Sequence, residues 1–518
     1  MNNSMKKILT LAVALFFAAS PVFTKTVSGE WHNDLRSLFI KNNAIIYTIN
    51  IRTFNAKDKN RNDIIDGKEE SGNFLNAIDE LDGLKKSGIN TLHILPVTPV
   101  GKTKALGTAG SLYALAGFDE INPQLASNKT SMTPINQAKM FIKECHRRNI
   151  RVIIDLPSCG SYDLFETHPE YFLKDEDGNP VVPLDWSDVL LFDTGDKYEN
   201  NHELIKLHKS FIDMVISIGA DGIRADVAGL KTPKFWSEII DYAREKDDEF
   251  LFLAESSKSW TEPVSADAIC TPSEELLKAG FDGYLGSYFN LKNMKEGSEL
   301  ISLVQSDQKM FKKFKYKKSV IGSFSTHDEE SPNLLKGGVF SKMIIWLNST
   351  LPLNSYYIDG FPTGDTYTYL WSNKPAKKTE TDCNKYFVHN GKIDIFNFSR
   401  KPGGDDYTIN EEFILANKFK EYYAQDLSNS KFVPLKSGNI RLFAYARVLS
   451  SSTIIVIGNL DFSNPQSGTI KVPKLKPDSK IMNMRVQRNI QNEYSKGKID
   501  ALLQPGDIQV LMVKNLVF

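Results

Sequence analysis

Eight short runs of apolar, mostly β-branched or aromatic residues recur along this chain, each parted from the next by a longer stretch of helical period. They are Ala44–Arg52, Thr91–Pro96, Arg151–Leu156, Gly222–Asp226, Phe250–Glu255, Gly283–Tyr288, Ser319–Phe324 and Leu353–Tyr357. Strands that alternate with helices form a parallel sheet, because a parallel neighbour is reached only by a crossover long enough to hold a helix. Eight such units predict a closed α/β barrel of the (β/α)8, or TIM, type. Between them, Leu75, Ile78, Leu81 and Leu84 recur every three residues before Gly88, and Phe211, Met214, Val215 and Ile218 share one face before Gly219. Both patterns predict helices that stop at a glycine.

The segment 158–198 is too long for an ordinary connection and is rich in Pro, Gly, Asp and aromatic residues, which predicts a small lobe inserted after the third strand. Past residue 425, strand-like runs such as Arg441–Val448, Thr453–Leu460 and Ile508–Val513 alternate with Ser, Asn, Pro and Gly clusters. They predict an all-β sandwich domain over 426–518, after a barrel domain over 25–425. The polar segment Thr363–Asp406 reads as a long loop near the barrel top.

At the N-terminus, Lys6 and Lys7 precede the apolar run Ile8–Phe17 and the small residues Ala18, Ala19 and Ser20. That layout predicts a secretory signal over 1–24, too short to span a bilayer, and hence export to the periplasm or beyond. The four cysteines, at 145, 159, 270 and 383, form no C-x-x-C pair, so neither a disulfide framework nor a zinc site is indicated. The 63 basic and 63 acidic side chains cancel. No global field would then draw the protein to nucleic acid or an anionic membrane, and a neutral substrate such as a sugar fits this balance.

Three carboxylates stand where an apolar run ends: Asp226 in GIRAD, Glu255 in FLFLAE and Asp328 in FSTHD. Barrel enzymes place catalytic side chains at the C-terminal ends of their strands, and Asp155 falls there too. Paired carboxyl groups suit glycoside cleavage, in which one attacks the anomeric carbon and the other protonates the departing oxygen. Arg224, two residues before Asp226 and so on the same strand face, is expected to hold Asp226 ionised. The apolar run before Glu255 is expected to raise its pKa toward that of a general acid.

These phrases, in this order, resemble the catalytic segments of the α-amylase superfamily (glycoside hydrolase family 13) over about Ala44–Tyr423. The resemblance implies that Asp226 is the nucleophile, Glu255 the acid/base and Asp328 the transition-state stabiliser. It implies that His327 binds sugar hydroxyls, that Tyr113 in GSLYALAGFDEINP stacks under the central sugar, and that Asp155 partners Arg224 beside the substrate. Trp186 and Trp260 are candidates to stack on further glucose units.

Two departures stand out. Where the family's first segment carries asparagine and histidine, four and five residues after the aspartate, this chain has Cys159 and Gly160. Where many starch-acting members carry Lys-His after the nucleophile, it reads Val227, Ala228, Gly229, Leu230. The resemblance therefore points to a specialised maltooligosaccharide hydrolase, retaining and α-glucan-active. The alternatives are a 4-α-glucanotransferase or maltosyltransferase, or a non-catalytic glycan-binding or scaffold relative.

In DKNRNDIIDG, Asp58, Asn60, Asn62 and Asp66, with the Ile64 carbonyl, have the spacing of a hard-cation loop and resemble the ion-binding loop of oligo-1,6-glucosidase-like members. A structural calcium is expected there, and no redox or nucleotide cofactor is implied.

Overall fold

The computed structural model describes residues 31–57, 59, 69–105, 110–184, 186–194, 202–366, 404, 406–485 and 492–516. The chain divides into a short unit, Met1–His32, and the body Asn33–Phe518. The expected export signal lies outside the described residues.

The body is built on an eight-stranded parallel sheet: β1 Ile45–Ile49, β2 Thr91–Ile94, β3 Arg151–Leu156, β4 Gly222–Ala225, β5 Leu251–Ala254, β6 Gly283–Tyr284, β7 Ser319–Val320 and β8 Ser355–Ile358. Neighbours in the chain are neighbours in space, and β8 pairs with β1. A single parallel bridge between Ile321 and Asn354 closes the barrel between β7 and β8. Side-chain bonds reinforce that thin seam, since Asn354 Nδ2 donates to Phe39 O at 2.9 Å and to Ser319 Oγ at 3.0 Å, and its Oδ1 accepts from Ala44 N at 3.0 Å. All eight strands are buried along their whole length, which is why they read as unbroken apolar runs rather than as alternating ones.

Several strands are shorter than their sequence runs. β6 and β7 have two residues each, and the rest of the expected β6 span turns into the 3₁₀ segment Tyr288–Asn293. Gly283 shows why these strands stay close: a Cβ there would meet the Phe39 ring at 2.4 Å and Ser319 O at 2.6 Å.

The expected helices are present with local changes. The one before Gly88 contains a 3₁₀ turn, Ile78–Glu80, and buries Phe74, Ala77 and Leu81, whereas Leu75 stays half-buried. His202–Ile218 buries Phe211, Met214, Val215 and Ile218 as the period requires. Both end at a left-handed glycine, Gly88 at φ +86° and Gly219 at φ +99°.

The lobe draws on two loops rather than one. Cys159–Gly160 pairs antiparallel with Leu190–Leu191 in the insertion after β3, and parallel with Ala114–Leu115 from the loop after β2.

At the C-terminus, β9 Lys431–Pro434, β10 Leu442–Val448, β11 Ser452–Asn459, β12 Gln466–Lys471, β13 Ile481–Asn483, β14 Asn492–Ser495, β15 Lys498–Leu503 and β16 Ile508–Lys514 form two antiparallel sheets. Their orders are β9-β10-β11-β16-β13 and β12-β15-β14. The two-residue period of β10 and β11 splits their side chains between two cores. Ala444, Ala446, Ile455 and Ile457 pack with Ile470, Ile499 and Leu503 of the smaller sheet, while Phe443, Tyr445, Ile454 and Val456 join the barrel's apolar mass. The larger sheet is thus covered on both sides and fixes the β-domain against the barrel.

Candidate active site

Register places the charged groups. Asp155 on β3 is the direct partner of Arg224 on β4, and Ala225 of β4 is the partner of Ala254 of β5, so Asp226 and Glu255 leave adjacent strand ends together. The Arg224 guanidinium, 4% exposed, then serves three carboxylates. Its Nη1 donates to both Asp155 oxygens at 2.8 Å and to Asp226 Oδ1 at 3.0 Å, and its Nη2 reaches Glu255 Oε1 at 2.8 Å. Glu255 Oε2 also accepts from the Val227 amide at 2.8 Å. Val227 directs that amide from a left-handed conformation, φ 31° and ψ 56°, an outlier for a β-branched residue that costs on the order of 1–3 kcal/mol.

The electrostatics differ from the sequence expectation. Burial, then the neighbouring Glu255 charge, push Asp226 well above the usual carboxylate range and outweigh Arg224. Glu255, for its part, sits among polar donors rather than in the apolar setting its sequence run suggests. Asp155 behaves otherwise: burial opposes its charge, but Arg224 and His93 prevail and hold it down to about 2.

Behind this cluster runs a polar chain. Tyr113 OH donates to Asp155 Oδ2 at 2.9 Å and lies 2.8 Å from His327 Nε2, which therefore carries the proton. The Tyr113 and His327 rings stack with centroids 5.8 Å apart, and His327 Nε2 is 3.4 Å from Asp328 Oδ2. His93 on β2, fully buried, places Nε2 3.3 Å from Asp155 Oδ2, and its Nδ1 lies 3.2 Å from Thr48 Oγ1 and 3.0 Å from Tyr356 OH.

These groups face a pocket of about 430 Å³, partly open to solvent. Asp226, Glu255, Asp328, Tyr113 and His327 line it, as do Trp186 and Asp188 of the lobe. Asp155 and Arg224 stand behind its wall and hold the lining residues in place. Trp260 is exposed, on the loop after β5, with its ring 6.4 Å from that of Phe289.

The first sequence departure has a structural cause at Gly160. Cys159 lines the pocket, its thiol pushed up by burial. At Gly160 a Cβ would lie 2.6 Å from the Phe172 ring and 2.9 Å from Phe192, so the lobe's aromatic packing occupies the space a histidine would need.

Lys231, 1% exposed, escaped the sequence reading because a lone lysine after an apolar turn carries no signal. It donates to Ser158 O at 2.9 Å and to Ser158 Oγ at 3.2 Å, while the Ser158 amide donates to Asp226 Oδ2 at 3.3 Å. Burial pushes its pKa down to about 8, against the pull of Cys159 and Asp226. Asp188 and His93 were missed for the same reason.

The expected calcium ligands Asp58, Asn60, Asn62, Ile64 and Asp66 lie outside the described residues. Among the described residues no group of three or more His, Cys, Asp or Glu side chains is arranged to hold a metal, and no helix is long and apolar enough to cross a membrane. Cys145, Cys159 and Cys270 are free thiols, and Cys383 lies outside the described residues.

Fold and site define a (β/α)8 barrel with a carboxylate cluster at the C-terminal ends of its strands, a lobe over that end and an appended β-domain. No protein-family model matches the chain. It is 24% identical over 443 residues to an α-1,4-glucan:maltose-1-phosphate maltosyltransferase of Bifidobacterium animalis subsp. lactis, covering 78% of this chain and 54% of that protein. A protein of the same description from Picrophilus torridus is 24% identical over 430 residues, 78% of this chain and 61% of its own. The chain thus spans little more than half the length of these curated relatives. Among solved structures, a maltogenic α-amylase from Thermotoga neapolitana shares the fold with a TM-score of 0.64 at 20% identity, over 92% of this chain and 99% of that one. The chain is thus similar in sequence to these maltosyltransferases and shares the fold of the α-amylase structure.

Proposed function

We propose that this protein is a retaining α-glycoside hydrolase acting on α-glucans or maltooligosaccharides, with Asp226 as nucleophile, Glu255 as acid/base and Asp328 as transition-state stabiliser. One observation carries the reading: Asp226 and Glu255 leave adjacent strand ends and rest on a single guanidinium, in a pocket that Asp328 also lines. Retaining enzymes hold the two carboxyls roughly 5–5.5 Å apart and inverting ones roughly 6.5–9.5 Å, and one guanidinium shared by both favours the closer spacing.

The cluster holds more carboxyls than one arginine neutralises, and burial with the neighbouring Glu255 charge favours a proton on Asp226 in the empty site. A sugar entering between them would separate the pair and pass that proton to Glu255. Asp226 then forms a bond to the anomeric carbon as the glycosidic C–O bond breaks, and Glu255 gives its proton to the leaving oxygen. In the second half, Glu255 takes a proton from water, whose oxygen replaces Asp226 at the same carbon. Asp328 and His327 grip the distorted ring, and Asp155, Arg224 and Lys231 keep the carboxylates in place.

Transfer to a sugar hydroxyl instead of water is the second reading, favoured by relatives named as maltosyltransferases. A phosphorylated donor fits less well, since the described lining residues include Asp188, Asp226, Glu255 and Asp328 and no Lys or Arg. A calcium at 58–66 and export through the N-terminal segment belong to the same proposal.

The test is a time course of maltoheptaose with the protein and its Asp226→Asn variant, followed by chromatography. Shorter products alone establish hydrolysis, and longer products beside shorter ones establish transfer. Indistinguishable traces from protein and variant would overturn the assignment of Asp226 and favour a binding module.

A further inference from the structure

Asp188 has a chemical situation that its own neighbourhood does not explain. It belongs to the lobe segment that lines the pocket beside Trp186 and Val189, and it is 2% exposed. Its Oδ2 is buried without a hydrogen-bond partner, and burial pushes its carboxyl up to about 6. A buried carboxylate oxygen without a partner is costly and rarely retained for packing alone. Neither Arg224 nor Lys231 offers it a bond: Arg224 serves Asp155, Asp226 and Glu255, and Lys231 serves Ser158. Asp188 nevertheless lines the pocket together with Asp226, Glu255 and Asp328.

We infer that Asp188 is a substrate-contacting residue whose carboxylate accepts a hydrogen bond from a hydroxyl of the glycosyl ring held in this pocket, making it a determinant of affinity. The inference rests on the glycan reading of the site. An ionised carboxylate only accepts hydrogen bonds, so its complement is a donor, and neutral sugars present hydroxyl donors around the whole ring. Cys159 and Gly160 supply neither an amide nor an imidazole to that side of the pocket, whereas Trp186 gives the ring an apolar surface beside the acceptor. Asp188 donates or takes no proton at the reacting carbon, so it acts on binding and not on the chemical step.

The experiment compares the protein with Asp188→Asn and Asp188→Ala, reading KM and kcat for maltoheptaose, the thermal midpoint, and maltoheptaose affinity by calorimetry. The calorimetry uses Asp226→Asn protein with and without Asp188→Asn, so that binding is read without turnover. The expected result is a KM and a dissociation constant about tenfold or more higher in the Asp188 variants, kcat within about threefold, and a midpoint in Asp188→Asn that is unchanged or higher because a buried unpaired charge has been removed. Unchanged affinity, or affinity lost together with a falling midpoint in Asp188→Asn, would overturn the inference, as would failure of the Asp226→Asn protein to bind maltoheptaose at all. Should the Asp226→Asn protein bind and lose affinity on Asp188→Asn while the parent shows no turnover, the catalytic reading would fall and the Asp188 contact would stand.

Discussion

Replacing Arg224 by methionine should turn the pH dependence of stability around, because three buried carboxylates would lose the guanidinium they share. Asp155 gives the scale. It is fully buried, and its pKa falls from 3.8 to about 2 in the folded protein. At about 1.36 kcal/mol per unit, that depression corresponds to roughly 2–3 kcal/mol of stability. A carboxyl held below its unfolded value contributes stability above pH ~4 and loses it as the pH falls toward the folded value. In Arg224→Met the burial that now opposes Arg224 would be countered by His93 alone and would lift Asp155 above its unfolded value. Folding would then favour proton uptake, so the variant would recover stability as the pH falls from 7.5 to 5, where the parent changes little on account of Asp155. Removing one partner of a buried ionic cluster costs about 3–5 kcal/mol, which sets the expected loss at pH 7.5. Urea unfolding of both proteins at pH 7.5 and pH 5 reads the effect. A gap between parent and variant that is absent, or equal at the two pH values, would refute the claim that Arg224 neutralises this cluster.

Gly160→His restores the family's residue type, yet it should lower stability by about 1–3 kcal/mol without improving kcat/KM, because its Cβ meets the Phe172 and Phe192 rings; a thermal midpoint and a rate on maltoheptaose decide this. Lys231→Met should flatten a rise in stability with pH that the parent shows above pH ~8. The lysine's lowered folded pKa of about 8 makes the unfolded chain the better proton binder between that value and 10.5, and unfolding midpoints at pH 7.5 and 9.5 would show it. If the loop 58–66 holds calcium, EDTA should lower the thermal midpoint and added calcium should restore it, whereas an unchanged midpoint would remove the ion from the account.

The barrel was legible because its strands are buried on both faces, so each stands out as an apolar run, and because the carboxylates follow those runs directly. Less legible was everything that depends on one strand meeting another. Sequence spacing pairs Arg224 with Asp226, two residues apart on one strand, but the β4–β5 register brings Glu255 to the same guanidinium. That third carboxylate is what reverses the expected protonation, since the charge of Glu255 adds to burial in raising Asp226. The two-residue pairings of the lobe are too short to show any period, so the contribution of Ala114–Leu115 from the loop after β2 was invisible.

Lys231, His93 and Asp188 share one reason for being overlooked: each is polar within an ordinary-looking stretch, and only burial gives it meaning. Burial also separates their roles. Lys231 donates to Ser158, which bonds Asp226, and His93 lies 3.3 Å from Asp155, so both act through their neighbours. Asp188 alone of the three keeps a buried oxygen without a protein partner and lines the pocket. In a cleft whose other polar groups already bond one another, that remaining acceptor is where an incoming hydroxyl gains most, because it displaces no existing hydrogen bond.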